Sequence, residues 1–427
     1  MMQKRAFAFT AAVVLLAAGA ASGAEDEALA RVRRVLAAHP VLDGHNDLPW
    51  AIRENPDAPG DVVAYDLRAR TRGNTDLERL REGGVGGQFW SVYIPADLPG
   101  GFARTQLEQI DIARRMIARY PDRLAFATTA DEAERAMKRG RVASLLAIEG
   151  GHAIEDSLGA LRAYSDLGVR SMTLTHGKTL DWADSATDTA RHGGLTRFGE
   201  EVVREMNRLG MLVDLSHVSD ETTEDALRVS EAPVVFSHSA ARAICDHPRN
   251  VPDAVLAKMK ANGGVVMVTF VNAFVSPEWA KASGPLWKEY EERTRGVADP
   301  AERARIGREI AARMPKIPVT LAQVADHVDH VRRVAGVDHV GLGGDYDGND
   351  AWPASLEDVS GYPRLLAELA RRGWTDEDLG KLASGNFLRV MRRVEEVARR
   401  LSRERPASMA TIEALDAAPL AGARRRP

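Results

Sequence analysis

The chain has 427 residues, room for about three ordinary domains or for one α/β barrel enlarged by insertions. Hydrophobic residues make up 44% and charged residues 28%, a globular balance that excludes a disordered chain, a collagen-like fibre and a multi-span membrane protein. With 57 Lys and Arg against 61 Asp and Glu the net charge is -4, which leaves no basic excess for nucleic acid, and the single Cys245 excludes an internal disulfide, Cys-clustered zinc and iron–sulfur ligation. Any metal must rest on His, Asp and Glu.

The N-terminus reads as an address. Lys4 and Arg5 precede an apolar run from Ala6 to Ala20, then small Ser22, Gly23 and Ala24, then acidic Glu25, Asp26 and Glu27. This is the layout of a secretory signal peptide over residues 1–24, cleaved after Ala24. The run is short for a membrane span, which weighs against the other reading, an uncleaved anchor. The expected mature protein is exported, periplasmic or secreted, with a formal charge of -6 once Lys4 and Arg5 are removed from the -4 of the whole chain. A lone thiol in such a compartment is expected to be buried and inert.

From residue 25 to 400, short apolar or β-branched runs alternate with helical patterns. Eight runs read as strands: Val41–His45, Val85–Ile94, Val142–Glu149, Val169–His176, Leu212–His217, Pro233–His238, Val265–Phe270 and His339–Asp345. Several are continuously apolar, as strands buried on both faces must be. Helical spacing predicts helices over Thr105–Tyr120, Thr196–Leu209 with Thr196 as N-cap, Ser219–Val229 with Asp220 and Glu221 in its first turn, and Leu321–Ala335. Eight strand–helix alternations predict an α/β fold, a (β/α)8 TIM barrel, over a doubly wound open sheet. The charged, strandless stretch Val275–Pro318 predicts a helical insertion between strands 7 and 8. Residues 401–427, rich in Pro, Ala and Arg, read as a poorly ordered tail.

In a barrel the C-terminal strand ends converge on one face, where catalytic groups sit. Strand 1 ends with His45 and Asp47, two apart and therefore on one side of an extended segment. Alone, His-x-Asp is a weak signal. Strand 3 ends with Glu149, whose charge at the end of a buried strand needs either a cation or an arginine partner. Strands 4, 5 and 6 end with His176, His217 and His238, and strand 8 presents Asp345 after Gly343 and Gly344. One such histidine is usually a core residue; three in successive strand-end positions are not easily explained that way. Nitrogen and oxygen ligands without thiolate suit zinc, with manganese second. Their number exceeds what one tetrahedral ion needs, so two ions sharing a carboxylate, with an acidified water between them as nucleophile, fit better.

Across Pro40 to Val390 the chain resembles the membrane (renal-type) dipeptidase family, zinc metallopeptidases of the amidohydrolase-like barrel group. The resemblance is carried by DGHNDLPW, AIEGGHAI, LTHGKTLDWADS, GLTRFGEEVVREMNRLGMLVDLSHVS, PVVFSHSAAR, PRNVPD, VADHVDHV, GLGGDYDG and GNFLRV, in order and at matching spacing. It implies a zinc-dependent dipeptidase that hydrolyses dipeptides, often with a D-residue at the C-terminal side, by a hydroxide bridging two zinc ions. His45 and Asp47 would hold one zinc, His217 and His238 the other, with Glu149 bridging. His176 would contact the substrate carbonyl oxygen, Arg249 the free carboxylate, and Asp345 would be the acid–base residue. The implied partner is a dipeptide, with no nucleic acid and no membrane anchor once the signal is removed; members are often homodimers.

Two departures from mammalian members stand out. They carry disulfides and a C-terminal lipid anchor, whereas this chain has one cysteine and a basic, non-hydrophobic end. Val271 and Phe274 stand where tyrosines are expected, one of them on the substrate side, which affects the pocket rather than the metal site. Two other readings remain at this stage: a binuclear-metal hydrolase of lactones, cyclic amides or phosphoesters, and a non-catalytic zinc-binding scaffold. The first is disfavoured because Glu149 and His176 stand where a carboxylated lysine is usual, the second because a scaffold needs neither Asp345 nor Arg249.

Overall fold

The computed structural model describes residues 27–98, 101–297 and 299–416, so the expected signal peptide lies outside the described residues. Nine strands form one parallel sheet: β1 (Val41–Asn46), β2 (Val85–Ser91), β3 (Leu124–Phe126), β4 (Val142–Glu149), β5 (Val169–Thr173), β6 (Leu212–Asp214), β7 (Val235–Ser239), β8 (Val265–Val268) and β9 (Val340–Leu342). Eight of them run β1-β2-β4-β5-β6-β7-β8-β9. The first and last then meet: Asn46 bridges Tyr346 in parallel, the Asp47 N–H donates to the Tyr346 carbonyl at 2.8 Å, and the Asp345 N–H donates to the His45 carbonyl at 3.2 Å. The sheet is therefore a nearly closed (β/α)8 barrel, as the eight apolar runs predicted.

The ninth strand was not predicted. β3 pairs with the first half of β4, on the edge that β5 takes over from Leu146 onward. At three residues it is too short to show a period of two in the sequence.

All residues of β2 and β4 are buried, which explains their largely apolar character. Along β4 the side chains alternate between two apolar clusters. Ala143, Leu145 and Ala147 share a cluster with Leu42, Phe89, Val265 and Met267 from other strands, which the helices Ala130–Lys138 and Asn386–Glu404 also join. Leu146 and Ile148 join the other cluster. Near the mouth the interior is closed by backbone and Met267: a Cβ on Gly44 would come within 2.6 Å of the Ser237 carbonyl, and one on Gly343 would overlap it. These two glycines let β1 and β9 approach β7, and so bring their tips to one centre.

The helices begin where the sequence places caps. Thr196 caps Arg197–Leu209 by accepting from the Gly199 N–H, and Ser219 caps Asp220–Val229 by accepting from Thr222. The insertion between β8 and β9 is helical, with Pro277–Thr294 and Pro300–Ala311. Of residues 401–427, expected to form a poorly ordered tail, 401–416 are among the described residues. The last long helix runs to Glu404, and Ile412–Asp416 docks against Arg197–Leu209, where Asp416 accepts hydrogen bonds from the Thr196 hydroxyl at 2.6 Å and the Arg197 and Phe198 amides at 3.0 and 3.1 Å. Composition suggested a solvated end; three unpaired donors at a helix start are what hold it. Cys245 is buried, and burial pushes its thiol pKa up to about 11, as expected of an inert cysteine.

Candidate active site

The strand tips deliver their polar residues to one rim. His45 is the penultimate residue of β1, and Asp47 sits at the start of the helix Leu48–Arg53 that follows, its side chain making no capping hydrogen bond. Glu149 ends β4, continuing the face of Ala143, Leu145 and Ala147. β5 and β6 stop at Thr173 and Asp214, earlier than predicted, so His176 and His217 lie on loops three residues beyond. His238 is within β7, and Asp345 follows β9. His217 and Asp345 both have left-handed backbones, φ 69° and 64°, a conformation that costs a non-glycine residue energy and clusters at functional sites.

The two oxygens of Glu149 face different partners. Oε1 lies 3.0 Å from His217 Nε2 and 3.3 Å from His238 Nε2, with His176 Nε2 at 3.9 Å. Oε2 lies 3.4 Å from His45 Nε2, which is in turn 3.2 Å from Asp47 Oδ2 and 4.0 Å from Asp345 Oδ1. The arginine partner considered for Glu149 is not what meets it. All of the residues expected at the metals are thus gathered: His45, Asp47, Glu149, His217 and His238. So are His176 and Asp345. Donor atoms also group as His45, Glu149 and His238, as Glu149, His176 and His217, and as His45, Asp47 and Asp345.

This donor set fits divalent cations. His217 and His238 turn their Nε2 atoms toward each other at 2.9 Å. His45 Nε2 and Asp47 Oδ1 are buried with no hydrogen-bond partner. Buried polar atoms are normally satisfied, so such orphans converging on one point mark a place for a ligand. Burial holds the His217 and His238 pKa values well below the usual range, with Arg249 and His45 adding to the effect, so these rings offer lone pairs. Burial also opposes a charge on Glu149, but His45 and the neighbouring imidazoles outweigh it and keep the carboxylate ionised. Asp345 is pushed well above the ordinary range by burial and by Asp47 and Glu149, although His45 works the other way. A buried carboxyl whose charged form is disfavoured in this way is a candidate for proton transfer.

Arg249 lies beside these groups. The surface ion pair that an arginine usually makes is ruled out here: its guanidinium is buried, 3.3 Å from the His238 carbonyl and 3.4 Å from the Ser239 hydroxyl, with Nε unpartnered. Its charge centre sits 5.1 Å from the Phe274 ring centroid. Burial lowers its pKa to about 10, so it stays charged at neutral pH.

The sequence reading missed four contributors. Tyr93, inside the predicted second strand, packs against Trp50 and His176 with centroids 5.1 and 4.9 Å apart. Its position at a strand end was the available signal. Asp43 accepts from the His45 and Gly344 amides, each at 2.8 Å, and so ties β1 to the approach to Asp345. Asp214 and Ser237 lie behind His238 and were read only as strand residues. His152, by contrast, is a core histidine bonded to the Ile94 carbonyl at 3.0 Å, and burial lowers its pKa to about 4.

The family model described as membrane dipeptidase (peptidase family M19) matches residues 29–405. The chain belongs to this family. Dipeptidase 3 of Mus musculus is 44% identical over 364 residues, 84% of this chain and 65% of that protein, so the chain spans about two thirds of the relative's length. A probable dipeptidase from Pseudomonas aeruginosa shares the fold at TM-score 0.75, with 24% identity over 87% of this chain and 100% of that one. A metallo peptidase from Rhodobacter sphaeroides, solved with a phosphinate mimic of the dipeptide L-Ala-D-Ala, aligns at TM-score 0.69 and 26% identity over 83% of this chain and 99% of that one.

Proposed function

We propose that the protein is a zinc-dependent dipeptidase, exported after removal of residues 1–24. The observation that carries the reading is the divided environment of Glu149, whose Oε2 faces His45 and Oε1 faces His217 and His238. In this reading His45, Asp47 and Glu149 would hold one zinc, and Glu149, His217 and His238 would hold the second. Bound there, such ions supply Lewis acidity toward the substrate carbonyl and lower the pKa of a water.

The chain's own groups do the rest. Arg249 receives the substrate's free carboxylate, a charge-assisted contact for which its guanidinium is pre-placed by Phe274, the His238 carbonyl and the Ser239 hydroxyl. With the carboxylate held there, the scissile bond lies among His176, Glu149 and Asp345. His176 donates a hydrogen bond to the carbonyl oxygen as negative charge develops, a contribution of roughly 3–4 kcal/mol in comparable sites. Asp345 takes the proton of the attacking water and passes it to the leaving amine nitrogen. Tyr93 and Trp50 wall the side next to His176 and help exclude bulk water. The relative that carries a phosphinate mimic of L-Ala-D-Ala supports a dipeptide as substrate class, including a D-residue at the C-terminal side.

The test is hydrolysis of a dipeptide and lactone panel, with and without chelator. Dipeptide cleavage lost on chelation and restored by zinc is the expected result. Turnover of lactones alone, or none with metal bound, overturns the proposal. N-terminal sequencing of the mature protein from the periplasm or medium checks the export step, with Glu25 expected as first residue.

A further inference from the structure

We infer that Asp214, acting through the Ser237 hydroxyl, sets the tautomer of His238 so that its Nε2 lone pair faces the site. The inference rests on the reading of His238 as a metal ligand; Asp214 and Ser237 act as positioning residues. Asp214 is 1% exposed and surrounded by donors. Its Oδ1 accepts from the Ser237 amide at 2.9 Å and the Ser216 amide at 3.1 Å, and its Oδ2 from the Thr173 hydroxyl at 2.6 Å and the Ser237 hydroxyl at 2.5 Å. The Ser237 oxygen also lies 2.8 Å from His238 Nδ1.

A serine hydroxyl has one proton for these two contacts. Given to His238 Nδ1, it would leave two oxygens 2.5 Å apart with no hydrogen between them, against a carboxylate that only accepts. Given to Asp214, it leaves the Ser237 lone pairs free to accept from His238 Nδ1–H. His238 then carries its proton on Nδ1, and Nε2, 3.3 Å from Glu149 Oε1, is a base. Metal-binding histidines commonly donate the other ring N–H to a carboxylate directly. Here a serine stands between, and the same acid ties β6 to β7 through the Ser237 amide and hydroxyl.

The test uses metal-free protein with labelled histidine. Long-range proton–nitrogen NMR is expected to show His238 protonated at Nδ1 alone; protonation at Nε2 overturns the inference, whatever the activity. Zinc affinity is then read by competition with a chromogenic chelator. Ser237→Ala is expected to weaken one zinc by about 10–100-fold, and Ser237→Thr, which keeps the hydroxyl, to restore it. An Ala variant with wild-type thermal unfolding and wild-type zinc affinity also overturns it. Should wild-type protein bind no zinc at all, the dipeptidase reading fails, while the tautomer measurement still decides this one.

Discussion

Glu149 is the residue on which the site turns. A lone carboxylate on a buried strand end is expensive unless charge meets it, and three imidazole nitrogens lie within 3.4 Å of its two oxygens. Two substitutions test the groups around it. Asp345→Asn keeps the side-chain shape but removes the proton acceptor. Bound zinc is expected to be unchanged by elemental analysis, and kcat to fall by about 10²–10⁴-fold, the usual share of general acid–base catalysis. Arg249→Ala is expected to raise KM for dipeptides with a free carboxylate while leaving amidated ones little affected. Because burial lowers the Arg249 pKa to about 10, the wild-type enzyme should show the same selective rise in KM as pH passes that value and the guanidinium loses its charge. Equal losses for amidated substrates would remove Arg249 from carboxylate binding.

Elements aim these residues by breaking their own regularity. β1 shifts register between Asp43 and Asn46, and β7 between Phe236 and Ser239, so His45 and His238 both lie in irregular stretches of strand. Such bulges re-aim side chains near active sites. A strict period of two would have sent them elsewhere, which is why strand-end spacing alone was a weak guide for His-x-Asp. The carboxylates Asp43 and Asp214 then pin the strand tips on two sides of the mouth. Helix ends show a similar economy. Asp416 accepts from the first two amides of Arg197–Leu209 as well as from the cap Thr196. Asp416→Ala is expected to destabilise the protein by about 1 kcal/mol, read by denaturant unfolding, since it removes a capping acceptor and a favourable charge at the helix N-terminus. No measurable change would mean that Ile412–Asp416 does not stay docked in solution.

At the scale of the whole molecule, the barrel concentrates acid at its mouth. Asp47, Glu149 and Asp345 meet around His45, and among the described residues no lysine or arginine forms an ion pair with them; Arg249 acts on Asp345 only through its field. Cations that bind only this folded arrangement must stabilise it, by about 4 kcal/mol at a thousand times the dissociation constant. Stripping the metal with chelator is therefore expected to lower the Tm by several degrees, and adding zinc back to restore it. An unchanged Tm would argue against tight metal binding. The insertion is anchored differently: Arg303 pairs with Asp97 beyond β2, and Arg293 and Arg313 pair with Glu309 and Glu289. These exposed pairs each contribute little. No helix among the described residues is long and apolar enough to cross a membrane.

Eight apolar runs, their intervening helices and the polar residues at their ends were legible in the amino-acid order, because burial on both faces leaves a continuous hydrophobic signature. His45, Glu149, His217 and His238 were legible for the same reason: each interrupts or ends a run where a polar side chain is costly. What the order did not contain was anything decided by neighbours distant in the chain. β3 exists because Leu124–Phe126 finds the free half-edge of β4. Asp416, in a segment whose composition reads as tail, becomes a cap because a helix start lies beside it. Asp214 and Ser237 gain meaning only when β6 and β7 pair. Propensity and periodicity are local quantities, whereas the hydrogen bonds that orient a ligand or dock a terminus depend on which strands and helices come to lie side by side.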